Sequence, residues 1–503
     1  MKTINQTQLL INQSNRSDSH SAVAYIGRGI PPVLKNKTAQ ALFVFSTLVL
    51  LPVFVPALHR YRFFTPSSPI TLGWSKPTHQ IEAQSASAET IAATTETTTA
   101  QSDVKVQIET GAIEDPSGHA LDHFFAALAK VESGIGQIRI CHYGDSPITN
   151  DGITSTVRKD LQLKYGDAGH GFVLLGKPWG WYGHIGVKQE ASSDWKSDPM
   201  FISRGDHMFG LGGASFTTSK AGAWATLSTD DTAPVGRKVS SFDIYFLAQP
   251  GGGDFSVEID GKPSIQVPTA ADKVHSDFKK VTTEEGAHSL TIKAIGNGEI
   301  RLFGVVFEAN EKGVEYDSIG VNGAYVGLLD HYMDAEHWTQ ELRHRNPDLI
   351  ILNYGTNESQ FENLRMDQYE QDTKEVIKRI REALPNVSIM LVSPMDRGTR
   401  GPGGTIITRP MIPKLVSYQR RIAAETGCAF FDTYSAMGGE GTVAKWYEAR
   451  PRLMGGDFTH PTWQGSEIVG NLISTAIINS FEKYKEQLSS SDVAQRTVDG
   501  KQQ

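Results

Sequence analysis

The hydrophobic pattern of this chain changes texture several times. The first change is Thr38–Leu58, a run without a single charged side chain. About twenty helical residues at 1.5 Å each cross a bilayer core. Lys35 and Lys37 precede the run, with Arg16 and Arg28 further back. That bias keeps the N-terminus in the cytoplasm, although Arg60 and Arg62 beyond the run weaken it. Pro52 and Pro56 argue against a buried soluble helix. The long leading segment favours an uncleaved anchor over a cleaved signal. The reading is a cytoplasmic tail over 1–37, a transmembrane anchor or signal over 38–58 and a tether over 59–118. Residues 77–107 are rich in Thr, Ala, Ser and Glu, and such a stretch cannot bury enough apolar surface to fold.

Ordered patterning returns near Ala120. A helix is expected over Leu121–Leu128, a strand over Ile138–Tyr143 and a helix over Ile153–Tyr165. Aromatic residues gather afterwards at Trp179, Trp181, Tyr182 and Trp195. They could stack on sugar rings, but packing a loop against the core is the commoner use. Between 205 and 312 short alternating strands take over: Ala223–Leu227, Phe242–Leu247, Phe255–Gly261, Ser289–Ala294 and Ile300–Phe307. Gly251-Gly252-Gly253 and Gly296-Asn297-Gly298 separate some of them. This spacing predicts an all-β jelly roll or sandwich inserted into an α/β region. The α/β pattern resumes at Asp348–Tyr354, an almost continuous apolar strand of the kind found in a parallel sheet covered on both faces. A helix over Asp367–Leu384 carries Val376, Ile377, Ile380 and Leu384 on one stripe. Then come a strand at Val387–Val392, a helix from Ile412 stopped by Gly427, and a strand at Cys428–Asp432. A closing helix runs from Thr462 to about Phe481, leaving a polar tail over 489–503. The two α/β parts are expected at 119–204 and 313–488.

A length of 503 residues implies two or three domains. Lys and Arg number 48 against 56 Asp and Glu, a net charge of -8 with no basic run, which argues against a nucleic-acid partner. The two cysteines, Cys141 and Cys428, lie in or beside apolar strands and read as small buried hydrophobes.

Candidate chemistry centres on Ser146, which follows Gly144-Asp145 at the end of a predicted strand. Asp-Ser is also ordinary turn chemistry, so the tripeptide alone says little. A serine hydroxyl needs a base, and His460 suits that role; Asp457, three residues earlier, could bond the other imidazole nitrogen. No Gly-x-Ser-x-Gly elbow surrounds Ser146. Two further blocks are Gly320-Val321-Asn322-Gly323-Ala324 and Gly355-Thr356-Asn357-Glu358. The blander readings are a helix cap for Asp457 and a turn for Asn357. His331, His337 and His344 lack metal-ligand spacing, so no metal or cofactor is expected.

Taken in order, these four blocks resemble the SGNH (GDSL-type) hydrolase family over roughly 120–200 and 313–485. The resemblance implies a flavodoxin-like three-layer α/β fold with Ser146, Asp457 and His460 catalytic. It also implies an oxyanion hole made by the Ser146 and Gly323 N–H groups and the Asn357 amide, with Gly320 as the alternative glycine. Pro147 stands where the family often has Leu or His, which leaves the Ser146 N–H intact. A β insertion between the first and second blocks is similar to bacterial peptidoglycan O-acetylesterases with a carbohydrate-binding-module-like domain. The implied function is a serine esterase removing O-acetyl groups from a cell-envelope glycan, peptidoglycan first. It would be membrane-anchored, with the catalytic domain on the periplasmic side. The alternatives are an acetylesterase or O-acetyltransferase on another polysaccharide, and a catalytically inactive glycan-binding protein.

Overall fold

Strand β1 (Gln137–Gly144) is the axis of a five-stranded parallel sheet. It pairs on one side with β2 (Gly313–Gly320) and on the other with β3 (Leu349–Asn353), followed by β4 (Ser388–Val392) and β5 (Ala429–Phe431). The order β2-β1-β3-β4-β5 is that of a doubly wound sheet whose strand order reverses between β1 and β3. The computed structural model describes residues 111–202 and 205–499. The expected tail, the anchor and most of the tether lie outside them. Among the described residues, no helix is long and apolar enough to cross a membrane.

Alternation along the strands sends neighbouring side chains to opposite faces and gives the sheet two cores. Ile138 and Ile140 of β1 and Leu349 and Ile351 of β3 meet α1 (Asp122–Glu132), α2 (Gly152–Tyr165) and the closing helix α6 (Trp463–Asp499). Cys141, Tyr143, Ile350 and Leu352 meet α3 (Ala335–Arg345), α4 (Met366–Ala383) and α5 (Met411–Thr426). Gly427, at φ 65°, ends α5 in the left-handed conformation. Helix α6 runs to Asp499, beyond the point where a polar tail was expected, and neither Pro nor Gly occurs between Gly470 and Gly500. Both cysteines are free and buried, and Cys141 Sγ donates to Asp317.

Two antiparallel sheets form the sandwich. One orders His275–Gly286, Val239–Ala248, Ile300–Glu308, Ala214–Thr218 and Lys196–Pro199, with Gly171–Leu174 also paired to Ile300–Glu308. The other orders Val187–Ala191, Trp224–Thr229, Ser289–Ala294, Asp254–Ile259 and Lys262–Pro268. Their inner faces touch at Phe246 and Phe255, whose ring centroids are 5.5 Å apart. The expected boundary at 205 needs correction, because three strands between 171 and 199 already belong to these sheets. Val187–Ala191 and Lys196–Pro199 are polar edge strands and carry no apolar alternation to announce them.

The outer face of the first sheet is covered by α3. Phe278 stacks on His344 at 3.6 Å, His344 Nε2 bonds Asp243 at 2.6 Å, and Ser276 Oγ bonds His337 Nδ1 at 2.7 Å. The sandwich is therefore packed into the α/β core.

Candidate active site

The sharp turn after β1 sets the position of Ser146. A Cβ on Gly144 would lie 2.4 Å from Ile148 Cγ1 and 3.0 Å from the Asn353 carbonyl, so the strand can turn here only at glycine. The next residues form a one-turn helix, Ser146–Thr149, with Ser146 at its start. Ser146 thus stands at the carboxyl end of β1, facing the end of β3 across the switch point where such sheets hold ligands.

His460 reaches Ser146 from the loop before α6. Asp457 organises this loop: its Oδ1 accepts from the Thr459 and His460 N–H groups, both at 3.1 Å. Its Oδ2 lies 2.6 Å from His460 Nδ1, and His460 Nε2 lies 2.7 Å from Ser146 Oγ. With Nδ1–H held by the carboxylate, Nε2 is the nitrogen free to accept the serine proton. Burial works to raise the Asp457 carboxyl, but the bonds from His460 and Thr459 outweigh it and hold it well below the usual carboxylate range.

The other two blocks follow the carboxyl ends of β2 and β3, the strands on either side of β1. Gly323 adopts φ +75°, a conformation that suits glycine, and a Cβ there would lie 2.9 Å from the Phe201 ring. Asn357 donates through Nδ2 to the Ala324 carbonyl at 2.7 Å, which ties its loop to the glycine loop. Gly323 and Asn357 line a cleft of about 540 Å³ with Phe201, Tyr325, Phe361 and Leu364. Gly320 does not face this cleft. It packs against the serine turn, where a Cβ would come 2.4 Å from Thr149 N. All five expected residues converge at one end of the sheet, and Gly323 rather than Gly320 lines the cleft.

Three neighbours were not singled out from the sequence. Asp145 is buried and accepts from Thr356 N at 3.0 Å, and burial pushes its carboxyl up to about 8. Glu358 is also buried, accepts from Val326 N at 3.0 Å and is pushed up to about 7 by desolvation. Arg397 donates to Thr459 Oγ1 at 3.0 Å, to Ser359 Oγ at 3.2 Å and to the Thr356 carbonyl. It joins the histidine loop to the asparagine loop. Adjacency to the serine and asparagine blocks could have marked the two acids. No local pattern marked the arginine.

The aromatic group is mostly packing. Tyr182 OH accepts from Leu174 N at 2.9 Å, Trp195 Nε1 donates to the Trp224 carbonyl at 3.0 Å, and Trp181 alone of the four is exposed. Away from the cleft, Asp151, His170 and His184 bring potential ligand atoms within 4.8 Å of one another. The Asp151 oxygens are already bonded by Arg158, Thr154 and Ile185 N, and His170 bonds His184 at 3.0 Å. The Asp151 carboxylate is left without a free lone pair for a cation, while His170 Nδ1 is buried without a partner.

Residues 293–468 match the model of the GDSL-like Lipase/Acylhydrolase family. That span begins inside the sandwich, after Ser146, and contains Gly323, Asn357, Asp457 and His460. No curated protein matches the chain. Among solved structures, one of a peptidoglycan O-acetylesterase is 22% identical with a TM-score of 0.63, over 74% of this chain and 99% of that one. A family two carbohydrate esterase from Clostridium thermocellum is 12% identical over 59% and 99% of the two chains, at a TM-score of 0.26. An acetyl xylan esterase is 17% identical over 33% and 81%, also at 0.26. The first likeness establishes a shared fold, and the other two are too slight to argue from.

Proposed function

We propose that this chain, an acylhydrolase of the SGNH (GDSL-like) family, removes O-acetyl groups from a cell-envelope glycan, with peptidoglycan the leading substrate. One observation carries the reading: the continuous Ser146–His460–Asp457 hydrogen-bond chain at the open end of the sheet. In the cycle, His460 Nε2 takes the Ser146 proton as Oγ attacks the acetyl carbonyl. The oxyanion is met by the Ser146 and Gly323 N–H groups and by the Asn357 amide. His460 then protonates the departing sugar oxygen, and Asp457 stabilises the imidazolium in between. Water, deprotonated by His460, attacks the acetyl-serine and releases acetate.

The glycan assignment is supported by the fold shared with a peptidoglycan O-acetylesterase across nearly all of that chain. The uncharged run 38–58, with Lys35 and Lys37 before it, supports an envelope location with the catalytic part outside the cytoplasm. Acetate release by the full-length chain from acetylated peptidoglycan and from acetylated xylan tests the assignment. The expected result is faster release from peptidoglycan, and loss of roughly 10⁴-fold or more in Ser146→Ala. Equal or faster release from xylan would move the substrate to another polysaccharide. Unchanged release by Ser146→Ala would remove the mechanism.

A further inference from the structure

A small two-stranded ribbon, Gly398–Arg400 with Ile406–Thr408, lies beside the histidine loop and is fastened to it by Gly398 N donating to the Phe458 carbonyl at 2.8 Å. One pair beyond Gly398 and Thr408, Arg409 N donates to the Arg397 carbonyl at 2.8 Å. Arg397 and Arg409 thus stand opposite each other on one face of an antiparallel pair. Like charges in that arrangement repel and cost stability. Neither has a carboxylate within ion-pair distance among the described residues. Arg409 makes no side-chain hydrogen bond there, and its buried Nε is without a partner. The local acids do not compensate. Asp457 is held by His460, and burial pushes Asp145 up to about 8, so its proton is largely retained at neutral pH. Arg400, one position out of phase, is used on the Gly404 carbonyl and the Phe458 ring.

We propose that Arg397 and Arg409 form an anion subsite that binds a carboxylate of the glycan substrate next to its acetyl ester. The proposal rests on the esterase reading above and narrows its substrate class to acidic sugars. Arg397 carries a positioning role besides, since it spans the Asn357 and His460 loops. Arg409 is the residue free to supply a planar pair of donors to a carboxylate.

The test compares acetate release by the full-length wild type from O-acetylated peptidoglycan strands stripped of their stem peptides, so that the muramoyl carboxylates are free, and from the same strands with those carboxylates converted to neutral amides. The wild type is expected to prefer the acidic form by about tenfold or more in kcat/KM, and high salt should shrink that ratio. Arg409→Gln should bring the ratio close to one, and Arg409→Lys should restore part of it. A second arm measures inhibition of 4-nitrophenyl acetate hydrolysis by N-acetylmuramic acid against N-acetylglucosamine, expected to favour the acid in the wild type alone. Equal rates on acidic and neutral forms, or a ratio unmoved by Arg409→Gln, overturn the subsite while leaving the esterase intact. No release from either form of the strands removes the peptidoglycan assignment. The inhibition arm then decides the subsite by itself, and equal inhibition by the two sugars overturns it.

Discussion

Asp145 and Glu358 sit next to Ser146 and Asn357, the proposed nucleophile and oxyanion donor, and burial raises both carboxyls, to about 8 and about 7. The folded chain therefore keeps protons that the unfolded chain releases near pH 4. Across the window from about 4 to about 8 the unfolded state binds fewer protons, so these acids make stability fall as pH rises, with little further change above it. In Asp145→Asn the melting temperature should decline less steeply through that window, and a curve parallel to wild type would refute the effect. Asn357→Ala should lower kcat by roughly 10²–10³-fold with a smaller change in KM, as for removal of one oxyanion donor. Steady-state kinetics on a simple acetyl ester reads this directly. At this scale the sequence was informative where chemistry is local: Asp457 and His460 are three residues apart and declare themselves together. Arg397 and Arg409 become neighbours only through a ribbon, so nothing in their spacing marks them.

Strand β2, at one edge of the parallel sheet, shows why an element was missed while β3 and β4 were plain. Leu349–Asn353 and Ser388–Val392 are almost purely apolar, whereas Glu315 and Asp317 interrupt Gly313–Gly320, yet every residue of that strand is buried. The two charges are tolerated because Arg345 of α3 hydrogen-bonds Asp317 at 2.7 and 2.9 Å and lies 2.8 Å from Glu315. Removing one partner from such a group leaves uncompensated buried charge, which costs about 3–5 kcal/mol. Arg345→Met should lose stability of that order in denaturant titration. A change below about 1 kcal/mol would mean that the acids are neutralised in another way.

The same contacts decide how the molecule holds together. Phe172 N donates to Asp317 at 2.7 Å, so the sandwich strand Gly171–Leu174 and α3 meet on one β2 carboxylate. Strands Val239–Ala248 and Ile300–Glu308 of the sandwich are buried at nearly all positions, between the second sheet and α3. Calorimetry is expected to show the two parts unfolding in one transition, and two well-separated transitions would contradict that coupling. The alternating strands from Trp224 to Glu308 were legible as a β region, but its beginning was not, because its first edge strands are polar. That earlier beginning matters for the site, since the segment after Pro199 brings Phe201 against Gly323.

In the proposed cycle Ser146 carries the acyl group. Rapid-quench mass spectrometry of the full-length chain mixed with excess acetyl ester tests it directly. An acetyl group is expected on the Ser146 peptide, formed within a turnover and absent in Ser146→Ala. Acetate release at the wild-type rate with Ser146 unmodified, or with the acetyl group on another residue, would contradict it.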